Sequence, residues 1–294
     1  MTDSTQPGMV LLDKPAGISS FTAISRLRRV FGKRVGHAGT LDPFATGLLL
    51  VLVGRATRLV PYLVGADKVY SGSIQFGQRS TTADPDGDLE PTGQTTDAAS
   101  VHAAMAAFTG LIEQVPPAAS AIHIDGERAY RRFRRGETIT MPTRQVAVHS
   151  FQLMRFDAAT QRADVTVSCG SGTYVRSLAR DLGEAVGAGA YLANLRRTAV
   201  GSFAVQDAIG PDDPALATGG QGWFSPAVAV AHLPQRRINT VDALRVGHGS
   251  QLTVAADTAP GPYALLDDDG VLLAIGDCQD GIIAPRVVLE TGKC

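Results

Sequence analysis

Three stretches of the chain repeat apolar residues at helical spacing. The first predicts a helix that starts after Ser19 and Ser20, both good N-cap residues, and that turns its arginines to solvent. The second predicts a helix that ends near Gly110, and the third predicts a helix capped by Thr173. The apolar positions of these helices are Phe21, Ile24, Leu27 and Phe31; Val101, Met105 and Phe108; and Val175, Leu178, Leu182 and Ala185.

Strand patterns lie between the predicted helices. The continuous apolar run LLLVLV at 48–53 predicts a strand that is buried on both faces. Residues 71–77 form another strand candidate, and Val165, Val167 and Cys169 alternate as in a half-buried strand. The acidic sequence TTADPDGDLEPTG at 81–93 is rich in turn-forming residues and predicts a surface loop.

The distribution of these elements predicts two domains. Helices and strands interleave irregularly over residues 1–230, which favours an α+β fold over a doubly wound sheet. A Gly/Pro-rich stretch at 208–222 is typical of a surface connection near a domain boundary. Short strands separated by turns fill the last ~65 residues and predict a small β-barrel. The expected domains are therefore 1–230 and 231–294.

Bulk composition narrows the class of protein. With 44% hydrophobic and 19% charged residues, the chain can bury a core. Its longest strongly apolar run is far shorter than the ~20 residues of a membrane helix, and the opening MTDSTQPG lacks the features of a signal peptide. The three cysteines are widely separated and fit neither a disulfide framework nor a metal pair. We expect a cytoplasmic protein.

Charge is distributed unevenly along the chain. The net charge is −1, but only four of the 27 basic residues are lysines, and the arginines cluster. Because arginine suits bidentate contact with phosphate, a near-neutral protein of this kind can still present a basic face to nucleic acid. A GC-rich genome would produce the same arginine bias, and composition does not separate the two. The clusters are Arg26, Arg28, Arg29, Lys33 and Arg34, and Arg128, Arg131, Arg132, Arg134, Arg135 and Arg144.

Two residues stand out as candidates for chemistry. Asp42 lies in a glycine-rich loop directly before Pro43, which favours an extended backbone, and a carboxylate so placed suits covalent catalysis. Arg176 falls in the first turn of a predicted helix, where the helix dipole disfavours a cation, and such a departure often marks function. An ordinary Asp-Pro turn and an ordinary surface arginine remain open alternatives. His37 and Tyr70 are equally ambiguous when taken singly.

Motifs for cofactors are weak or missing in the sequence. The glycine-rich turn at 170–172 lies between a predicted strand and a predicted helix, a context that suits phosphate. However, Val175 occupies the third glycine position of a dinucleotide fingerprint, and no Walker sequence is present. His37 has no partner at metal-ligand spacing. A glycosidase would need two carboxylates flanking the bond, and only Asp42 is placed for that role. We expect neither a cofactor nor a metal.

Seven motifs, in order along nearly the whole chain, resemble the bacterial tRNA pseudouridine-55 synthase family, the TruB type. The second of them is a long signature that contains the family's catalytic aspartate. The matching stretches are LLDKPAGISS at 11–20, GHAGTLDPFATGLL at 36–49, DKVYSG at 67–72, FGQRSTTADPDGD at 76–88, QVPPAASAIHIDGERAY at 114–130, GSGTYVRSLARDLG at 170–183 and LRRTAVGSF at 195–203.

The resemblance implies an isomerase that converts uridine 55 in the T loop of tRNA to pseudouridine. Asp42 would be the nucleophile, Tyr70 the aromatic residue that stacks on the flipped base and transfers a proton, and Arg176 the partner of the Asp42 carboxylate. A base must leave its stack before its glycosidic bond can be reached, and an aromatic platform offsets part of that cost. Isomerisation adds and removes no atoms, which agrees with the expected lack of a cofactor.

The resemblance also implies an RNA-binding surface. His37 would push into the T loop and stabilise the flipped-out target, Lys14 would belong to a structural and RNA-contact strip, and Leu195 would line the base pocket. A thumb inserted at 123–144 would close over the T loop, mobile without tRNA and ordered with it. A PUA-like C-terminal domain, the small barrel predicted above, would dock the acceptor stem. The thumb arginines expected to contact phosphate are Arg131, Arg132, Arg134 and Arg135.

The expected partner is the T stem-loop of tRNA, bound by a monomer with no obligatory protein partner. Guide-RNA-dependent relatives in archaea and eukaryotes share the catalytic motifs, but the eukaryotic ones carry lysine-rich tails that are not seen in this sequence of four lysines. A chaperone that remodels tRNA is a second alternative and can coexist with catalysis. His123 and Ala119 stand where the family commonly has lysine and an aromatic residue, which puts RNA contacts there in doubt.

Overall fold

A mixed ten-stranded sheet and a five-stranded sheet form the framework of the computed structural model, which describes residues 6–214, 216 and 222–289. None of the described helices is long and apolar enough to cross a membrane. The strands are β1 Gly8–Lys14, β2 Val35–Ala38, β3 Thr46–Val53, β4 Lys68–Phe76, β5 Gln78–Ser80, β6 Leu89–Pro91, β7 Gly110–Gln114, β8 His123–Ile124, β9 Glu127–Arg128, β10 Arg144–Asp157, β11 Arg162–Cys169, β12 Ala190–Val200, β13 Phe203–Ala204, β14 Trp223–Phe224, β15 Gln235–Arg237, β16 Leu252–Thr253, β17 Gly261–Leu266, β18 Leu272–Gln279 and β19 Ile282–Val288. The helices are α1 Ser20–Phe31, α2 Val60–Leu63, α3 Ala98–Met105, α4 Ala129–Arg134, α5 Val175–Ala185, α6 Pro226–Ala229 and α7 Thr240–Gly247.

The large sheet has the strand order β14-β1-β3-β12-β4-β11-β10-β7, with β2 beside β3 and β13 beside β12. Its described pairs are antiparallel except β12 with β3. Gly47 permits that parallel contact, because a Cβ at this position would meet the backbone oxygen of Arg197 at 2.3 Å. The mixed sheet with interleaved helices confirms the predicted α+β class.

Strand β3 lies at the centre of the fold. Leu49 and Val51 belong to a hydrophobic cluster with α1, whereas Leu48 and Leu50 belong to a cluster that continues into the five-stranded sheet. Residues 47–53 are all buried. Burial on both faces explains the continuous apolar pattern and confirms the strand predicted at 48–53.

The predicted N-cap of α1 is confirmed, but one residue of its apolar stripe was wrongly placed. The side chain of Ser19 accepts a hydrogen bond from the N–H of Thr22 at 3.0 Å, as an N-cap should. Phe21, predicted to face the core, is 62% exposed. Its ring lies in the first turn under the guanidinium of Arg28, 5.0 Å from the ring centroid, where it packs with a charge rather than with the core.

The predicted N-cap of α5 is also wrong. Tyr174 occupies the cap position. Its N–H donates to the Oε1 of Gln114 at 2.8 Å, and its carbonyl accepts from the Nε2 of Gln114 at 3.1 Å. The Thr173 hydroxyl instead donates to the carbonyl of Ala147 at 3.4 Å. A side chain 60 residues away therefore replaces the local cap that the sequence pattern predicted.

The second sheet has the order β15-β17-β18-β19-β16. It starts at Gln235, close to the predicted boundary at 230/231, and all five of its strands lie in the C-terminal region that was predicted to consist of short strands. Arg55 and Arg58 tie it to the large sheet by donating to the carbonyls of Leu289 and Val288 at 3.0 and 2.9 Å. Within the described residues the two edge strands of this sheet, β15 and β16, do not pair with each other, so a closed PUA-like barrel stays a prediction. The division into separate domains also stays a prediction.

Candidate active site

The loop between β2 and β3 carries Asp42 and is fixed to the start of α1. The Ser20 hydroxyl donates to the carbonyl of Leu41 and accepts from the N–H of Leu41, both at 2.9 Å. The N–H of Gly17 donates to the carbonyl of Pro43 at 2.8 Å. The backbone is therefore held on both sides of Asp42, whose side chain keeps 35% of its surface exposed.

Lys14 lies beneath the same loop and is fully buried. Its ammonium donates to the carbonyls of Pro15 and Ile18, each at 2.8 Å, and to that of Pro43 at 3.3 Å. Burial lowers the pKa of Lys14 to about 8, and the nearby carboxylate of Asp42 opposes this change. Because three carbonyls occupy its three N–H donors, Lys14 supports the loop from below. Its expected contact with RNA stays a prediction.

Asp42 and Arg176 are brought together by the fold. The Nη2 of Arg176 donates to the Oδ1 of Asp42 at 3.2 Å, and the Nε lies 3.0 Å from the Oδ2. The Arg176 side chain is 4% exposed, although it belongs to the first turn of α5. The Asp42 carboxylate thus compensates for the unfavourable helix position, and because Arg176 is buried, the alternative of a surface arginine is wrong.

Asp84 is a second carboxylate bound to Arg176, and no local pattern pointed to it. The Nη1 of Arg176 donates to the Oδ2 of Asp84 at 2.8 Å and to the carbonyl of Thr82 at 3.1 Å. The Nη2 also donates to the carbonyl of Ala119 at 3.0 Å. Asp84 is 6% exposed. The stretch 81–93, predicted as a surface loop, therefore places the Asp84 carboxylate inside the site.

The charges around Asp42 leave it an unusually basic carboxylate. Burial raises the pKa of Asp42 above its ordinary value of 3.8, and Arg176 opposes that rise. Asp84 and Asp86 raise the pKa further, whereas Lys14 lowers it. Since Arg176 is shared between two carboxylates, it cannot neutralise both. A more basic carboxylate is a better nucleophile, which suits covalent attack on a sugar carbon.

A pocket of about 330 Å³ adjoins Asp42. Tyr70 of β4 and Leu195 of β12 line it from neighbouring strands, and both are nearly buried. Burial raises the pKa of the Tyr70 phenol, with Arg197 opposing, so the hydroxyl keeps its proton at neutral pH. The rest of the lining comes from the loop at 39–41, the turn at 170–175, and Val64, Lys68, Ser120, Ala121, Arg176 and Arg197.

Arg197 was not anticipated as a site residue. It pairs in register with Tyr70 of β4 and with Gly47 of β3. Its Nε donates to the carbonyl of Leu48 at 2.7 Å, and its Nη2 donates to that of Gly39 at 3.0 Å. The matched stretch 195–203 contains this residue, but it also contains a second arginine directly before it. Successive side chains of a strand point to opposite faces, so the sequence alone did not reveal which arginine faces the pocket.

His37 lies on β2, half-buried and outside the pocket lining. Burial and the neighbouring Arg197 lower its pKa, so the imidazole is neutral at pH 7. Its Nδ1 is buried and has no hydrogen-bond partner in the part of the chain that is described. Insertion of His37 into the T loop stays a prediction. The described residues contain no group of three or more His, Cys, Asp or Glu side chains that could hold a metal ion.

The segment 123–144 consists of the hairpin β8–β9, helix α4 and the chain leading to β10. Two of its four candidate arginines are held by acids, because Arg132 and Arg135 both bind Glu137, at 2.8 and 2.7 Å. Arg131 and Arg134 form no ion pair within the described chain. These two arginines are consequently better placed to meet phosphate than the other two.

Comparison with known proteins gives the family. Residues 28–175 match the family described as TruB family pseudouridylate synthase (N terminal domain), and residues 176–213 match the tRNA pseudouridylate synthase B C-terminal domain. A curated protein from Thermobifida fusca (strain YX), called tRNA pseudouridine synthase B, is 45% identical over 96% of this chain and 98% of its own length. A protein of the same name from Prochlorococcus marinus (strain MIT 9313) is 46% identical over 89% of this chain and 83% of its own.

Solved structures agree with this assignment at the level of fold. The chain superposes with a TM-score of 0.74 on a structure described as a Cbf5-Nop10-Gar1 complex, at 24% identity over 97% of this chain and 85% of the other. A second structure, described as an H/ACA RNP bound to a substrate RNA containing 2′-deoxyuridine, superposes with a TM-score of 0.73. It is 22% identical over 97% of this chain and 86% of the other. Given the family match and the high identity over nearly its whole length, this chain belongs to the TruB family of pseudouridylate synthases.

Proposed function

We propose that this protein is a tRNA pseudouridine synthase that isomerises uridine 55 of the T loop, with Asp42 as its nucleophile. The observation that carries the proposal is the Asp42–Arg176 pair beside a pocket whose wall includes Tyr70 and Leu195. The names of the curated relatives support tRNA as the substrate.

The chemistry follows from the positions of these groups. The target uridine leaves its stack and enters the pocket, and stacking on Tyr70 returns about 1–3 kcal/mol of the cost. The Asp42 carboxylate, oriented by Arg176, promotes loss of uracil by attacking C1′ or by taking the C2′ proton. The base then rotates and rejoins C1′ through C5. C5 then gives up its proton and N1 gains one, a transfer that the neutral Tyr70 hydroxyl relays by accepting one proton as it donates its own, so the product contains the same atoms as the substrate.

Mapping of pseudouridine in an unmodified tRNA transcript treated with the purified protein tests the proposal. The native protein should modify position 55. Asp42→Asn should abolish the product while tRNA affinity changes by no more than a few fold, since the amide removes a nucleophile but little contact area. Asp88→Asn, at an exposed aspartate of the neighbouring loop, is the matched control and should keep the native rate. Measurable turnover by the Asp42 variant would contradict the assignment.

A guide-RNA-dependent enzyme is a second candidate, because the matched solved structures are described as H/ACA or Cbf5 complexes. The same transcript separates the two. Modification by this chain alone supports the stand-alone enzyme, whereas modification only after a guide RNA is added supports the alternative. A coexisting tRNA chaperone activity would survive in the Asp42→Asn variant, so refolding of misfolded tRNA by that variant would reveal it.

A further inference from the structure

Arg197 is a buried cation that none of the roles above explains. The residue is 1% exposed, and it forms no ion pair with any carboxylate in the described chain. Its neighbour Arg196, by contrast, is partly exposed and pairs with Asp13 at 2.7 Å. Burying a guanidinium without a counter-charge opposes folding, so a group of this kind persists where it has a function in the site.

The position of Arg197 restricts what that function can be. Bonds to the carbonyls of Leu48 and Gly39 hold the Nε and Nη2, the side chain also forms a hydrogen bond with the Tyr70 hydroxyl, and Arg197 is one of the residues that line the pocket. The in-register pairing with Tyr70 places it beside the expected base platform. Because Arg197 belongs to a central strand and is almost fully buried, it lies too deep for the phosphates of a bound RNA.

The pocket holds more positive charge than its one lining carboxylate can compensate. Arg176 is already shared between Asp42 and Asp84, which leaves Arg197 and Lys68 as further cations in the lining. Arg197 contributes to the lowered pKa of Lys68, after the larger effect of burial. A site with fixed positive charge favours a step in which the ligand becomes negative.

We propose that Arg197 stabilises the negative charge that develops on the uracil ring when the glycosidic bond breaks. The inference rests on the proposed function. In this step the C1′–N1 bond breaks, and its electron pair moves to N1 and spreads to the ring oxygens. The sugar carbon is captured by the Asp42 carboxylate or loses the C2′ proton to it. When C5 attacks C1′, the C1′–Asp42 bond breaks and releases the carboxylate, or Asp42 returns the proton to C2′, and the negative charge leaves the uracil ring as the C5–C1′ bond forms.

Single-turnover rates of Arg197→Met on two tRNA transcripts test the inference, one carrying uridine and one carrying 5-fluorouridine at the target. Fluorine withdraws electrons and makes the departing base a more stable anion, so its release should need less help from the enzyme. Because C5 of the fluorinated base carries no proton, the last step cannot occur on this transcript. Its rate is therefore measured from the formation of the nucleoside in which C5 is joined to C1′. We expect a loss of about 100-fold on uridine and about 10-fold or less on 5-fluorouridine.

The comparison within one variant does not depend on the fraction of folded enzyme, which cancels in the ratio of the two rates. Arg197→Lys should recover part of the rate on uridine, because it keeps the charge. Arg196→Met, a matched loss of a neighbouring arginine, should leave the ratio of the two rates at the native value. If Arg197→Met lowers the rate equally on both transcripts, the inference is overturned, and Arg197 instead supports the loop that contains Gly39. A native protein that forms no pseudouridine would overturn the proposed function instead.

Discussion

Arg176 binds two carboxylates with one guanidinium, and this sharing sets the charge of the site. Asp84 is the more deeply buried partner, whereas Asp42 remains partly open to the pocket. Asp84 thus fixes the guanidinium at one end, and the other end orients Asp42, the proposed nucleophile. A change at Asp84 should therefore act on catalysis without any contact with RNA.

Asp84→Asn should lower kcat by about 10- to 100-fold, because small displacements of a catalytic group have effects of this size. The tRNA affinity should remain within a few fold, since Asp84 is buried beneath the site. Asp88→Asn serves as the control in the same loop. Single-turnover rates and equilibrium binding measure the two quantities, and a larger change in Kd than in kcat would show that Asp84 supports the RNA surface instead.

The pH dependence of kcat/KM should show an acid limb whose midpoint lies above 3.8, because burial raises the pKa of Asp42. Protonation removes the nucleophile, so the rate is lost as the pH falls through that raised pKa. Asp84 also raises the pKa of Asp42. In the Asp84→Asn variant the limb should therefore move to lower pH, and a shift to higher pH would assign it to another group.

The predicted thumb segment 123–144 has little hydrophobic support. Ala129 is the one buried residue of α4, and the local cluster of buried residues adds only Ile122 and Met141. Ion pairs such as that of Arg135 with Glu127, at 2.7 Å, supply much of its internal contact. Such pairs contribute little when exposed, which makes this element the one expected to change on binding.

The double variant Arg131→Ala/Arg134→Ala should bind tRNA more weakly. The slope of the logarithm of the binding constant against the logarithm of salt concentration should fall in magnitude by about one unit for each lost phosphate contact. The matched pair Arg132→Ala with Arg135→Ala should change the slope less, because these arginines are already bound to Glu137. Dissociation constants measured over a range of salt concentrations give both slopes. Equal slopes in the two variants would mean that the ion pairs do not select which arginines meet RNA.

Hydrogen exchange should show weak protection of 123–144 in the free protein and stronger protection with tRNA. The physical reason is the small apolar burial of this segment, which phosphate contacts would supplement. Strand β3, buried on both faces, provides the internal reference and should stay protected in both states. Equal protection of 123–144 with and without tRNA would exclude a mobile thumb.

At the scale of the whole molecule, the two sheets share one hydrophobic cluster, which includes Leu50 of β3 and Ile275 of β18. We therefore expect the described parts of both sheets to unfold together. Ile275→Ala should lower the free energy of unfolding by about 2–5 kcal/mol, as for other buried large-to-small changes. Calorimetry should show one transition that moves as a unit. A second transition that stays at the native temperature would show that the predicted domains unfold independently.

The sequence by itself determined the features that depend on neighbours along the chain. A continuous apolar run located β3, periodic apolar positions located most of α1, and the Ser19 cap followed from its place before that apolar stripe. Contiguous motifs singled out Asp42 and Arg176 through their resemblance to a family, because a family signature is itself a local string of residues. These features need no knowledge of which strands become neighbours.

Apart from the Asp42–Arg176 pair, which the family resemblance implied, tertiary structure decided the contacts between distant side chains in the site. Asp84 reaches Arg176 across 92 positions, and Gln114 caps α5 across 60. The strand alignment that sets Arg197 beside Tyr70 also decided which of two consecutive arginines faces the pocket. Shifting a strand by one residue exchanges its two faces, so the same local sequence would leave this cation in solvent. Burial and charge in the site are thus properties of the strand register, which no local pattern encodes.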